Sequence, residues 1–563
     1  MTLDTLRAQD VLEVLDPTAD KLGSTHTPLA PRLDTFDGKV LGLLSNSKPN
    51  AENALYAAAN KIKERYPTLE IRLYPGSIRF EADLLRQAIE ESDALIGCSA
   101  DCGACTSWLI HDGAQAEKGG KPQVTIVARG FEHDAETSAK VFGVPDLQYV
   151  VVPRVFTALT KEQAEAQVEP LVDEIIRLLT TDPAGDRVFA GIDADAQAEK
   201  ADAYTFEGDL VEVIDEFNDF FVEREFGDGL PLYPATREKV DALVAALGKP
   251  ADELLLTIPP AHGHGTVEKL AINAALAGVQ PDEFPVVIAG LRAIQKCPPP
   301  MNLSVLMSTG AFAPVLMVNG PIAKRLGIND GRDPLGPGSK NRVGNRIGRA
   351  IGLSLRNLGY WIPGRMDLDT IGTARKFIQV FGENEDESPW EPFHVTRGYR
   401  PDESTITVWH SVGEWDLGSN HGPSDVRIRS LASRTPTVTQ VGHMTSILGG
   451  LQGNEDGVIY LLPPETAKIF TEAGLSKDAV KRFLLHNVRP RISDVIQPLR
   501  DFRARGLLRP EWEWVFELTP EEQRTQSIQA FFDPDAVQIV VAGSGTPKDF
   551  VFGTMTVPIT EKI

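Results

Sequence analysis

Between residues 39 and 179 the sequence alternates short apolar runs with amphipathic stretches, five times over. The runs Lys39–Leu44, Leu69–Leu73, Ala94–Gly97, Gln123–Val127 and Leu147–Val152 read as strands. The stretches Ala51–Arg65, Ala82–Glu91, Thr106–Lys118, Asp134–Phe142 and Lys161–Leu179 carry helical spacing, with Asn50 placed as an N-cap for the first. Strand–helix alternation of this kind leaves few folds open, because each helix must carry the chain back to start a parallel neighbour. The expected class is α/β: a flavodoxin-like, doubly wound parallel sheet with helices on both faces.

Around this core the chain divides by composition. Residues 1–35 are polar and contain proline, and read as an N-terminal arm lying on another surface. Residues 36–180 form the flavodoxin-like domain. Residues 181–205 are rich in Ala and Asp without a strong period and read as a linker. Residues 206–563 read as a larger α/β region, with strands expected at Leu254–Ile258, Val286–Ala289, Val315–Val318, Val458–Leu462 and Val537–Ala542. Dense turn residues near 410–440 mark a subdivision of that region.

Acidic residues number 79 against 56 basic ones, a net charge of −23. That balance argues against a general nucleic-acid binder or a protein held on anionic membranes. No apolar run is long enough to span a bilayer, and the opening MTLDTLRAQDVLEVLDPTAD lacks the layout of a signal peptide. With 4 cysteines in 563 residues, a disulfide-stapled secreted scaffold is ruled out. A cytoplasmic protein with reduced thiols is expected.

Three of the cysteines fall together in SDALIGCSADCGACTSWLIHDG, residues 92–113. In an open α/β sheet, ligands bind outside the carboxyl ends of strands where the strand order reverses. In flavodoxin-like order the first and third strands flank that point. The first ends in Asn46-Ser47-Lys48-Pro49-Asn50 and the third in the cysteines, so the two loops are expected to form one site. Cys102 and Cys105 make a CxxC opening a helix, where the helix dipole and free N–H groups favour a thiolate. Dithiols at this spacing close readily to a disulfide, which suits redox chemistry. Lys48 is the expected thiolate partner. His111 lies nine steps from Cys102, on the opposite helix face, and Asp112 lies two turns from Cys105, about 10 Å away. Counting Cys98, the spacing CxxxCxxC also matches thiolates holding a [4Fe–4S] cluster, so Cys98, Cys102 and Cys105 stand as an alternative metal set.

The stretches GKVLGLLSNSKPNAENAL and SDALIGCSADCGACTSWLIHDGAQAEKGGKPQVTIV resemble the UGSC family of (seleno)proteins. That domain carries a KPN-type loop after its first strand and a U-G-S-C motif after its third, U being selenocysteine. The segment is also similar to the selenoprotein B subunit of the glycine, sarcosine and betaine reductases. The resemblance implies that Cys102 stands in the selenocysteine position and Cys105 in that of the second thiol, with Ala104 replacing the family serine. It implies a nucleophilic or redox centre. In the reductases a selenol attacks the substrate α-carbon and expels the amine; cysteine keeps the nucleophile but weakens it.

In the second region, His262 and His264 sit between a strand and a helix, with Glu268 one turn on. They read as acid–base or ligand groups, or as loop histidines bonding backbone. Arg342, Arg346 and Arg349 fall on one face of a helix after Gly336-Pro337-Gly338-Ser339, with Asn345 beside them. This stripe suits a carboxylate or phosphate, and equally a solvated face. Cys297 reads as structural.

The leading expectation is an enzyme, an oxidoreductase, whose Cys102 thiolate cleaves or forms a C–S or C–N bond in a small anionic substrate. Cys105 resolves the thiol and a thiol reductant regenerates it. Lys48, Asn50, Arg342, Arg346, Arg349 and Asn345 bind the substrate, and His262 and His264 assist. The alternatives are a lyase or hydratase using a cluster or divalent metal, and a non-catalytic redox sensor or thiol carrier. A homo-oligomer is expected.

Overall fold

The first strand of the chain, β1 (Asp10–Leu15), does not join the sheet that the next strands build. Strands β2 (Val40–Ser45), β3 (Glu70–Pro75), β4 (Ala94–Ala100), β5 (Gln123–Ala128) and β6 (Gln148–Val152) form one sheet in the order β3-β2-β4-β5-β6, every pair parallel. This is the doubly wound order expected, with its reversal between β2 and β4. The computed structural model describes residues 10–20, 27–76, 80, 82–182, 201–297, 305–419, 422–438, 457–504, 508 and 510–563.

Helices α1 (Ala51–Arg65), α2 (Ala82–Glu91), α3 (Gly103–Lys118), α4 (Glu132–Val141), α5 (Lys161–Val168) and α6 (Val172–Thr180) connect and cover the strands. Residues of α1, α5 and α6 share one core with Leu43, Ile96, Cys98 and Ile126. Residues of α2, α3 and α4 share another with Leu44, Leu95, Ala100 and Val127. Every residue of β4 and β5 is buried, as strands covered on both faces must be. The single helix expected over 161–179 is two. Pro170 sits in a short 3-10 turn, Glu169–Leu171, and has no N–H to continue the ladder. Asn50 does precede α1, but in the left-handed region and without a side-chain cap bond.

The N-terminal arm is divided between two bodies. Residues 27–35 lie against the first domain, where the Ala30 N–H and Arg32 bond the buried Glu117 carboxylate. β1 instead pairs antiparallel with β7 (Ala203–Gly208), placing Val14 and Leu15 in the core of the second region. The linker expected over 181–205 therefore ends in a strand; its residues 183–200 lie outside the described residues.

In the second region, β8 (Leu254–Ile258) and β9 (Gly263–Thr266) form a hairpin. A mixed sheet contains β10 (Ala313–Asn319), β11 (Gln379–Gly382), β12 (Thr405–Ser419), β13 (Gly457–Leu462), β14 (Val537–Val541), β15 (Lys548–Thr554) and β16 (Ile559–Lys562). The long β12 joins β10 on one side to β15 on the other, so a boundary at 410–440 falls inside one sheet rather than between two. The strand expected at Val286–Ala289 is part of a helix, Phe284–Gln295. The run FPVVIAGLRAIQ is buried on nearly every side, and a fully buried apolar run carries no periodicity to separate helix from strand.

Candidate functional site

Sheet order brings the loops after β2 and β4 together. The two strands are parallel neighbours with Ser45 opposite Cys98. Asn46 then ties the loops. Its N–H donates to Cys98 O at 3.1 Å, its Nδ2 donates to Ser99 O at 2.8 Å, and its Oδ1 accepts from Ser99 N–H at 3.1 Å. All these groups are buried, so the loops are locked in register at the mouth of the sheet.

Lys48, from the first loop, forms an ion pair with the buried Asp101 carboxylate. Burial alone would push the Lys48 ammonium down. The nearby Cys105 and Cys102 sulfurs and Asp101 outweigh it and hold the charge firmly on. Cys102 is the N-cap of α3, half-buried, and its Sγ accepts a hydrogen bond from Cys105 N–H at 3.3 Å. The Cys105 thiol bonding to it is the largest influence lowering the Cys102 pKa. Burial opposes, Lys48 assists, and the result is about 6. Cys105 is fully buried; its bond to Cys102 and its burial hold its pKa well above that of an ordinary thiol. The pair is therefore poised with the negative charge favoured on Cys102 and the proton on Cys105.

Among the described residues, one group of three or more metal-type donors comes together: Asp101, Cys102 and Cys105, with donor atoms within 4.8 Å of one another. Cys98 does not join it. It is fully buried within β4, and burial pushes its thiol up. The cation beside the Asp101 carboxylate is the Lys48 ammonium.

A second carboxyl lies alongside. Asp134, in the first turn of α4, is 1 % exposed. Its Oδ1 accepts from Ser107 and Ser138 hydroxyls, each at 3.3 Å, and its Oδ2 has no hydrogen-bond partner among the described residues. Burial, and next the Cys102 charge, push it well above the usual carboxylate range. The second region closes this corner. Ser107 Oγ lies 3.3 Å from Met307 Sδ, and a Cβ on Gly103 would meet Met307 O at 1.7 Å. Only glycine permits so close an approach of the Met307 backbone to the first residue of α3.

Of the residues expected at the site, Lys48, Cys102 and Cys105 meet, and the others serve elsewhere. Asn50 spends its Nδ2 on Phe156 O and Leu159 O, at 3.1 and 2.8 Å, fastening the loop after β6. His262 and His264 belong to the β8–β9 hairpin and neither joins the thiol group. The His262 Nε2 is buried without a partner among the described residues, and burial lowers its pKa. Glu268 pairs with Arg237 rather than completing a metal site. The arginine stripe is structural. Arg346 clamps the buried Glu283, with Nε at 3.1 Å from Oε2. Arg349 grips Asp228 at 2.7 and 2.8 Å. Their charges are already answered, so neither offers an open anion site; Arg342 and Asn345 are exposed on the same helix. His111 bonds Asp112 at 3.0 Å and packs edge-on against Trp108 and Phe142. Cys297 is buried in the second core.

Asn46, Asp101 and Asp134 are the site residues that sequence reasoning passed over. Asn46 and Asp101 lie inside the two segments already singled out, without a role assigned to either. Asp134 had no such signal, since a contact between two helices leaves no spacing to read.

Residues 13–181 match the model of the UGSC family, the family that the KPN loop and the CxxC segment resemble. The match begins within β1 and ends after α6, so it covers the whole thiol domain. No curated protein and no solved structure matches the chain. Among the described residues, no helix is long and apolar enough to cross a membrane.

Proposed function

We propose that this protein is a thiol-dependent enzyme of the oxidoreductase kind, with Cys102 as nucleophile and Cys105 as the second thiol of the pair. The opposite poise of the two sulfurs carries the reading. A thiolate and a thiol within reach of one another are the two reactants that disulfide chemistry needs. The Cys102 thiolate attacks an electrophilic atom of the substrate and the bond to the leaving group breaks. Cys105 then attacks Cys102 Sγ, the Cys102–Cys105 disulfide forms, and the substrate fragment departs with the electron pair and a proton. A low-molecular-weight or protein thiol reduces the disulfide, as a cytoplasmic thiol pool would allow. Substrates are small and anionic, met by the N-terminus of α3. A cysteine version of the selenol attack in selenoprotein B reductases, cleaving a C–N or C–S bond, fits this order of events.

Alkylation by iodoacetamide tests the reading, with the modified residue identified by mass spectrometry. Cys102 should react selectively, and Cys102→Ser should abolish that reaction. A Cys102 no more reactive at pH 7 than an ordinary thiol of pKa ~8.5 sinks the proposal. If oxidation of the pair alters only oligomeric state and leaves no reaction with added disulfides, the protein is a sensor.

A further inference from the structure

The arginine face of the helix Arg342–Asn357 does not end at Arg349. Arg356 lies two turns further along, on the same side. Arg346 and Arg349 are answered by Glu283 and Asp228, whereas Arg356 pairs with no carboxylate among the described residues. Its one hydrogen bond there runs from Nη1 to Glu225 O at 3.2 Å. The acids around it are each held by another cation: Glu225 by Arg365, Asp228 by Arg349, Asp367 and Asp369 by Lys376. Burial pushes the guanidinium pKa down, and Glu225, Asp228 and Asp367 only partly offset it. A guanidinium drawn out of water without a carboxylate is costly until an anion completes it.

What Arg356 faces is a cavity of about 170 Å³, lined also by Gly352, Trp361, Pro363 and Phe377. Space of that order admits a molecule the size of benzene. The other charges on its wall, Arg349 with Asp228 and Lys376 with Asp367, are closed ion pairs. The indole of Trp361 is fixed in place: its Nε1 donates to Leu306 O at 2.8 Å, and Lys376 Nζ sits 5.5 Å from the ring centroid. The cavity therefore combines one unanswered cation with rigid apolar walls, the make-up of a small-molecule site.

These walls choose between ligands. A carboxylate takes two donors from one planar fork, and Arg356 has Nε and Nη2 uncommitted among the described residues. A phosphate dianion would bring a second negative charge against Asp228 and Asp367. A neutral ligand would leave the guanidinium unanswered. We propose that this cavity binds a small organic monocarboxylate, its carboxylate on Arg356 and its apolar body against Trp361 and Phe377. The site needs nothing from the thiol chemistry, so either proposal can fail without the other.

Isothermal titration calorimetry of the full chain, at fixed ionic strength, tests this with butyrate, benzoate, benzamide and inorganic phosphate. Benzoate or butyrate should bind saturably at one site per chain. Benzamide, which has the shape of benzoate without its charge, should bind more weakly than benzoate, and so should phosphate. Arg356→Gln should weaken carboxylate binding roughly 10- to 100-fold, the range for lost hydrogen bonds to a charged group. At Gly352 the nearest atom to an added Cβ is Ile378 Cδ1 at 3.7 Å, so the helix accepts a side chain there. Gly352→Leu should fill the cavity and abolish binding while the urea midpoint is kept. Arg342→Gln, exposed on the same helix, should bind as the wild type does. No saturable binding of either carboxylate overturns the proposal, as does benzamide or phosphate binding as tightly as benzoate. Unchanged binding in Arg356→Gln or Gly352→Leu, or equal weakening by Arg342→Gln, overturns it too. Should Arg356→Gln fold poorly, Gly352→Leu and the benzamide comparison decide.

Discussion

Two thiols three residues apart hold opposite protonation because one caps a helix and the other is buried beneath it. Cys102 receives a backbone N–H, the Cys105 thiol and the field of Lys48; at Cys105 the bond to Cys102, burial and its negative neighbours outweigh that same ammonium. The rate of Cys102 alkylation should therefore rise with a midpoint near pH 6. Lys48→Met should move that midpoint up by removing a cation that stabilises the thiolate. An unchanged midpoint in that variant, read from pH-dependent iodoacetamide labelling, would show that the ammonium is spent wholly on Asp101. Asp134 bears on stability with the opposite sign. A carboxyl whose pKa is raised by folding binds more protons in the native state than in the unfolded one. Stability thus declines as pH climbs past the unfolded value of ~3.9, and the decline stops only where native Asp134 itself ionises. Asp134→Asn should flatten that decline, as followed by urea unfolding between pH 4 and 8. Lys48 and the CxxC were legible in the sequence because strand order alone decides which loops meet. Asn46 and Asp134 were not, since their roles depend on what a neighbouring loop or helix presents to them.

At the scale of elements, the helix Arg342–Asn357 is the instructive case. Its arginines at 342, 346 and 349 share a face, and a face of cations invites a ligand. The structure answers two of them with carboxylates from distant segments, Glu283 and Asp228. Its glycines serve the other side. A Cβ at Gly348 would meet Ile378 O at 1.9 Å, and one at Gly344 would meet Val380 O at 2.2 Å, so the helix lies directly on the backbone leading into β11. Arg346→Ala should therefore damage the fold. Leaving Glu283 buried and unpaired costs roughly 3 kcal/mol, measurable as a lower urea midpoint, while Cys102 alkylation stays unchanged. Loss of thiol reactivity without loss of stability would return Arg346 to the site. Periodicity displays a face of a helix without saying what lies opposite. The same gap turned the Phe284–Gln295 helix into an expected strand, because a segment buried all round has no face to display.

Across the whole molecule, the thiol helix begins against the second region at a residue without a side chain, Gly103. Gly103→Ala would force Met307 O off the start of α3. That should destabilise the protein by about 1–3 kcal/mol, the range for an overpacked contact, and speed Cys102 alkylation as the corner opens. A variant as stable as the wild type with unchanged alkylation would show that the contact yields freely. The parallel sheet, its strand order and the meeting of its loops were readable from alternation alone. The antiparallel pairing of β1 with β7 was not, because it joins residues nearly two hundred positions apart through backbone bonds that carry no motif.

That pairing changes how the chain is put together. The two bodies are not in series like beads on a string. The thiol domain is a guest, inserted between two strands that belong to its host, and both of its ends return to the same ribbon. The host is unfinished until the guest has been made, for the core that takes Phe206 and Phe217 also takes Val14 and Leu15 from its far side. A fragment beginning at residue 206 would lack β1 and half of β7, and should not hold its core. Removing residues 27–182 and bridging the gap should leave the host able to close.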